Sequence, residues 1–289
     1  MCLFMSDQPI DGPKTPNLGP AAPSGSRMLV GYPAVFREGI DPDVIAALQD
    51  LDKLLAEGRD GTEFSFAVTD EASALRSYLL YTTVLVDVVL SAIASAAINS
   101  MDLLVIMLQR LMVEYAAKVA YYADHPEHAL YAMTIGNAKR ILSQLQEAGE
   151  SAERITEAMR HRELLRSQFS RVDHLRSLRM PEIMRPYAGP ADYIGLYAMP
   201  SGLLHGDPVG LQFILRSDDR GQLLASFEKS TDEINARLVD AGADAHVVYD
   251  QFVSHFFPEN QQLACASKAL RSRLEKLAVR HHWGRKTLP

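Results

Sequence analysis

The chain has 289 residues, 47% of them hydrophobic, with a formal net charge of −7. That length supports one large domain or two small ones, and the acidic balance excludes a global basic field, so any nucleic-acid contact would need a local patch. Two cysteines, Cys2 and Cys265, suit a reducing cytosol rather than a disulfide scaffold, and the opening Met-Cys-Leu-Phe-Met lacks the basic n-region and long apolar run of a secretory signal.

Residues 6–27 are rich in Pro, Gly and Ser and bury too little surface to order themselves, which predicts a flexible tail over 1–27. Residues 28–40 are apolar but broken by Gly31, Pro33 and Gly39, which predicts an extended segment along the core. Asp41 before Pro42 marks a helix N-cap and first position. Val44, Ile45, Leu48, Leu51, Leu54 and Leu55 keep the helical period as far as Gly58. Residues 59–69 read as a polar loop.

A second helix is predicted from Asp70 to about Asn99. Only Asp87 is charged between Tyr78 and Ile98, a length near the roughly 20-residue membrane threshold. Either a transmembrane helix or a core helix of a soluble bundle would read this way. Asp87 at mid-span, the hydroxyls of Thr82, Thr83, Ser91 and Ser95, and the absence of a flanking Lys/Arg cluster favour the bundle. Ser100 is the expected cap of a third helix, on which Arg110, Glu114 and Lys118 recur at steps of four. That stripe is either a solvated edge or a paired charge cluster meeting another helix.

Pro126 opens a fourth helix, predicted to reach about Gly149. Ser151 caps a fifth, expected to run to about Leu178, polar and exposed with arginines alternating with acids. Pro181, Pro186, Gly189 and Pro190 then make a loop leading into residues 191–206. In that stretch Tyr193, Tyr197, Ser201 and His205 fall at steps of four, one face of a helix, with Pro200 expected to kink it. Residues 211–227 read as a short β-hairpin or as loop then helix. Ser230-Thr-Asp-Glu233 is a capping-box pattern for a helix toward Phe257, and Pro258 is the expected start of a last helix to about His282.

The fold expectation is therefore all-α: a multi-helix bundle over 28–257, with a short hairpin near 211–227 as an option, and a C-terminal helix and basic tail over 258–289 as an appendage. No Gly-rich phosphate loop, Glu-x-x-His pair or zinc-type Cys/His spacing is present, so no cofactor and no metal site is expected. Asp124-His-Pro-Glu-His128 gathers possible ligands, but at a helix junction it reads as capping and solvation. Ser201 and His205 lack the Gly-x-Ser-x-Gly elbow and oxyanion motif of a hydrolase. The Arg-rich helix and the basic terminus are the candidate phosphate contacts.

Arg110-x-x-x-Glu114 followed by Tyr197-x-x-x-Ser201-x-x-x-His205 resembles a family of uncharacterised bacterial all-helical proteins over about residues 70–215. More loosely it is similar to the HEPN superfamily, in which an early helix carries Arg and Glu and a later one ends in a polar residue and His. Many HEPN proteins are ribonucleases of toxin–antitoxin or phage-defence systems. The resemblance implies a cytoplasmic protein that binds or cleaves RNA without a metal, with His205, Arg110, Glu114, Ser201 and Tyr197 as the catalytic group. Catalytic members carry an Arg shortly before the His. Here Tyr197, Ala198, Met199 and Pro200 precede His205 instead, while Arg154 and His161 match that spacing on the Arg-rich helix. Two other functions fit the residues: a non-enzymatic interaction protein with a buried polar network, and a membrane-associated protein using residues 78–98. A homodimer is compatible with all three.

Overall fold

The structure is a computed structural model that describes residues 37–60, 67–187, 193–205, 215–217, 223–225 and 229–281. The expected tail over 1–27, most of the extended segment over 28–40 and the basic end beyond 281 lie outside the described residues. The chain is an all-α multi-helix bundle. Its longer helices are α1 (Pro42–Asp60), α2 (Glu71–Ile98) and α3 (Asp102–Asp124). After α4 (Pro126–Tyr131) and a π turn (Ala132–Gly136) come α5 (Asn137–Glu147) and α6 (Ala152–Gln168). Two short helices, α7 (Met180–Met184) and α8 (Met199–His205), precede a small hairpin. The hairpin pairs β1 (Leu215–Ser217) antiparallel with β2 (Leu223–Ala225), Arg216 opposite Leu224. Then come α9 (Thr231–Phe256) and α10 (Gln261–Arg280).

Caps explain most boundaries. The Asp41 carboxylate accepts from the Asp43 amide at 2.8 Å, and Asp70 and Ser73 exchange side-chain bonds in a capping box that opens α2. Ser230 accepts from the Glu233 amide at 3.2 Å, but only half of that box forms, because the Glu233 carboxylate turns to Arg237. Three boundaries differ from expectation. Ser100 ends α2 rather than starting α3: it has φ +56°, and the amides of Met101 and Ser100 reach back to the carbonyls of Ala96 and Ala97 at 2.8 and 3.2 Å. This is a Schellman closure with Ser in the left-handed position usually given to Gly, and Gly149 closes α5 the same way. The Arg-rich helix stops at Gln168, ten residues before Leu178, because Phe169 and Val172 turn inward and are buried. Its guanidinium Arg166 reaches over the stop to Asp173 at 2.8–3.0 Å. The last helix is capped by Asn260, which accepts from the Leu263 amide at 3.1 Å, not started by Pro258.

The core is organised on α9, which packs against α1, α2, α3 and α10. Ile234, Leu238, Ala245, Val248, Tyr249 and Phe252 are fully buried on it. Gly242 permits the closest approach: a Cβ there would lie 2.8 Å from Leu48 of α1 and 3.1 Å from Leu274 of α10. The C-terminal helix is thus part of the same core and not an appendage, with Leu270, Leu274 and Leu277 buried in it. Its end is tied to the start of α1, where Arg280 and His281 reach Asp41 at 2.9 and 2.7 Å. Burial pushes the Asp41 carboxyl up, but the hydrogen bonds from His281, the Asp43 amide and Arg280 outweigh it and hold the pKa below the usual value.

His246 sits buried between α9 and α10, with Nε2 2.9 Å from the Ser267 carbonyl, while Ser267 donates to Asp250 at 2.8 Å. Burial depresses its pKa below the ordinary 6.5. The unfolded chain then binds the proton more readily than the folded one, so this stabilisation is present above about pH 6.5 and is lost as pH falls through it. Thermal melts should show the melting temperature dropping between about pH 7 and pH 5, with a shallower drop in His246→Gln.

The apolar helix α2 is long enough to cross a membrane, yet 56% of its most apolar window is buried inside the bundle. It faces α1, α3, α4 and α9.

Candidate functional site

Helix α3 carries apolar residues on two sides. One side, with Val105, Met112, Ala116 and Val119, belongs to the main core. The other, with Val113 and Ala117, meets Met180, Ile183 and Met184 of α7 in a satellite core, against which Tyr193, Leu196 and Tyr197 also pack. The expected stripe Arg110, Glu114, Lys118 lies along this seam, half-buried.

The later stretch begins as helix at Tyr193, widens into a π turn at Ile194–Ala198 and continues as α8. Pro200 explains the wide turn: it lacks an amide proton and its ring would strike the carbonyl four residues back in a regular α-helix. A π turn absorbs that conflict, and such turns are frequent at functional sites. Pro200 itself is buried, as is Gly202.

The two halves meet at one point. Arg110 donates from Nη2 to the Tyr197 hydroxyl at 3.3 Å, and its guanidinium carbon lies 4.8 Å over the Tyr197 ring. Tyr193 stacks on Tyr197 with centroids 5.6 Å apart. Glu114 sits between two cations, 3.6 Å from Arg110 and 2.5 Å from Lys118. Nε of Arg110 is buried with no hydrogen-bond partner. The Tyr197 hydroxyl has its pKa raised, first by burial and then by the Glu114 carboxylate, with Arg110 opposing.

Of the five residues read as one catalytic group, Arg110, Glu114 and Tyr197 come together. Ser201 and His205 do not join them: His205 is exposed, and no hydrogen bond connects either residue to Arg110 or Glu114 among the described residues. Glu114 does not orient His205, since its carboxylate is committed to its two neighbours on α3. Tyr193 and Tyr197 keep the four-residue spacing, with their rings stacked, whereas His205 lies two turns further on at the exposed end of α8.

The alternative pair lies on α6, and no hydrogen bond joins its two members among the described residues. Arg154 is tied to Glu150 at 2.6 Å, while His161 lines a cleft of about 240 Å³ with Thr134, Asn137, Leu165 and Phe169. At the α3–α4 junction, Tyr187 donates to Asp124 at 2.6 Å, and His125 packs on Tyr121 with rings 4.5 Å apart. No cluster of three His, Cys, Asp or Glu that could hold a metal occurs among the described residues.

Two polar clusters escaped sequence reading. Arg237 on α9 donates to Gln109 of α3 at 2.7 Å and to Glu233 at 3.0 and 3.2 Å, all three residues buried. Asp102, at the start of α3, is buried against Arg37, which hydrogen-bonds its carboxylate, and against the Lys229 amide at 2.6 Å. The signal for the first was present in part: Glu233 and Arg237 are four apart on one helix. Comparison with family models, with curated proteins and with solved structures finds no match to the chain.

Proposed function

We propose that the protein is a non-enzymatic helical interaction protein in which the Arg110–Glu114–Tyr197 cluster pins the α8 segment onto α3. The observation that carries this reading is the commitment of Glu114 to Arg110 and Lys118 while His205 stands exposed and apart. A general acid–base pair needs hydrogen-bond reach between its members and the reacting group. A pin needs only what is present here: a stacked tyrosine pair, a cation over a ring and a bridging carboxylate. The partner-facing part is the apolar side of α2 and α3 that the bundle leaves uncovered.

Glu114→Ala should lower the melting temperature by roughly 3–8 °C, because it leaves Arg110 and Lys118 half-buried without their counter-charge. His205→Ala should leave it unchanged. The reverse order of effects in thermal melts would sink the pin.

The RNA reading is favoured by one feature, the solvent-facing position of His205 at the end of a helix that begins over a cation. It requires that the purified chain cleave RNA and that His205→Ala and Arg110→Ala both abolish cleavage. Cleavage that survives both substitutions removes it.

A further inference from the structure

Five large apolar side chains stand in solvent on adjoining sides of α2 and α3: Tyr81 (59% exposed), Val84 (40%), Val88 (62%), Met101 (55%) and Leu104 (38%). Monomeric surfaces rarely gather so many on one face. Between Ser77 and Met101 the one charged residue is Asp87, which is half-buried and about 100° round the helix from Val88.

The pattern along α2 is symmetric about Val88 in a particular way. Seven and four residues before it stand Tyr81 and Val84; four and seven after it stand Ala92 and Ser95. Three before is Leu85, and three after is Ser91. Large side chains thus occupy one half of the stripe and small ones, half-buried, the other. A second α2 laid antiparallel across Val88 places residue 88−k against residue 88+k. Tyr81 then meets Ser95, Val84 meets Ala92, Leu85 meets Ser91, and Val88 meets its own copy. Every large side chain except Val88 faces a small one over a seam of about 21 Å.

Helix α3 completes the match. It returns beside α2 after the turn at Asn99–Met101, so exposed Met101 and Leu104 stand at the small-residue end, as walls for an incoming Tyr81. A lipid surface would need no such alternation, since acyl chains fit any apolar side chain. A self-complementary patch is what a two-fold homodimer requires.

We propose that the occupant of this face is a second copy of the chain, docked antiparallel through α2 with the two-fold axis at Val88. The assignment rests on the interaction reading above and names its partner. The full chain should run as a dimer in sedimentation at about 10 µM, with Val88→Asp weakening association at least tenfold while the monomer keeps its helical circular-dichroism signal. In a Cys2→Ser/Cys265→Ser background, Val88→Cys should oxidise to a covalent dimer faster than a Val84→Cys control, because only position 88 faces itself.

A wild type that remains monomeric at about 100 µM overturns the proposal. So does equal cross-linking at positions 84 and 88, or flotation of the wild type with phosphatidylcholine/phosphatidylglycerol vesicles that Val88→Asp abolishes, which would assign the face to lipid. None of these outcomes depends on Glu114 or His205. The pin can therefore fail in melts while the dimer stands, and the dimer can fail while the pin stands.

Discussion

Arg237→Ala is expected to destabilise the bundle by about 3–5 kcal/mol, the usual loss when one partner of a buried ion pair is removed. The guanidinium satisfies Glu233 and the Gln109 carbonyl oxygen, and the side chains of Arg237 and Glu233 are only 9% and 7% exposed. Removing it leaves a carboxylate in the interior between α3 and α9, the two helices at the centre of the core. Urea denaturation of the purified variant would measure the loss. A double variant, Arg237→Met with Glu233→Leu, should recover most of it, because the charge to be desolvated is gone along with its counter-charge. If the double variant is no more stable than the single one, the loss comes from packing of the Arg stem and not from the stranded carboxylate.

The second large effect is expected at Asp102. Its side chain is 1% exposed and holds three remote parts of the chain together. Arg37, before α1, hydrogen-bonds one carboxylate oxygen; the Lys229 amide, before α9, donates to the other at 2.6 Å; and Arg37 also donates to the Lys229 carbonyl at 2.7 Å. Asp102→Ala should cost about 3–5 kcal/mol by stranding a half-buried guanidinium and an amide. Asp102→Asn keeps an acceptor for the Lys229 amide and should cost about 1–3 kcal/mol. Equal losses for Ala and Asn in urea denaturation would show that the charge, and not the amide bond, carries the clamp.

These two clusters show where sequence reasoning stops. Asp102 reads as an ordinary acid in the first turn of a helix, a residue that favours the macrodipole and is normally solvated. Nothing within ten residues of it says that Arg37 and Lys229 will close over it, 65 and 127 positions away. Glu233 and Arg237 are legible as a local pair, but Gln109, which makes the pair viable in the interior, is 128 positions from Arg237. The candidate site divides the same way. That Arg110 would find a partner on the later stretch followed from a charge on an apolar helix. That the partner would be Tyr197 and not His205 was decided by how the two segments pack, with Tyr197 lying against Arg110 and His205 exposed two turns further on.

What the sequence by itself determined is most of the longer helices and four of their starts. Asp41, Asp70, Ser151 and Ser230 cap where their chemistry says, because a cap is settled within three residues and an apolar stripe within a few turns. What only the tertiary structure decided is which residues stand inside. Phe169 ends a helix early by turning into the core, Ser100 takes a left-handed conformation to bring α3 back along α2, and α9 becomes the central helix. These depend on packing between segments far apart in the chain, where burial outweighs local preference. The same packing leaves Tyr81, Val84 and Val88 of an almost uncharged helix in solvent, a fact that periodicity alone would have placed in the core.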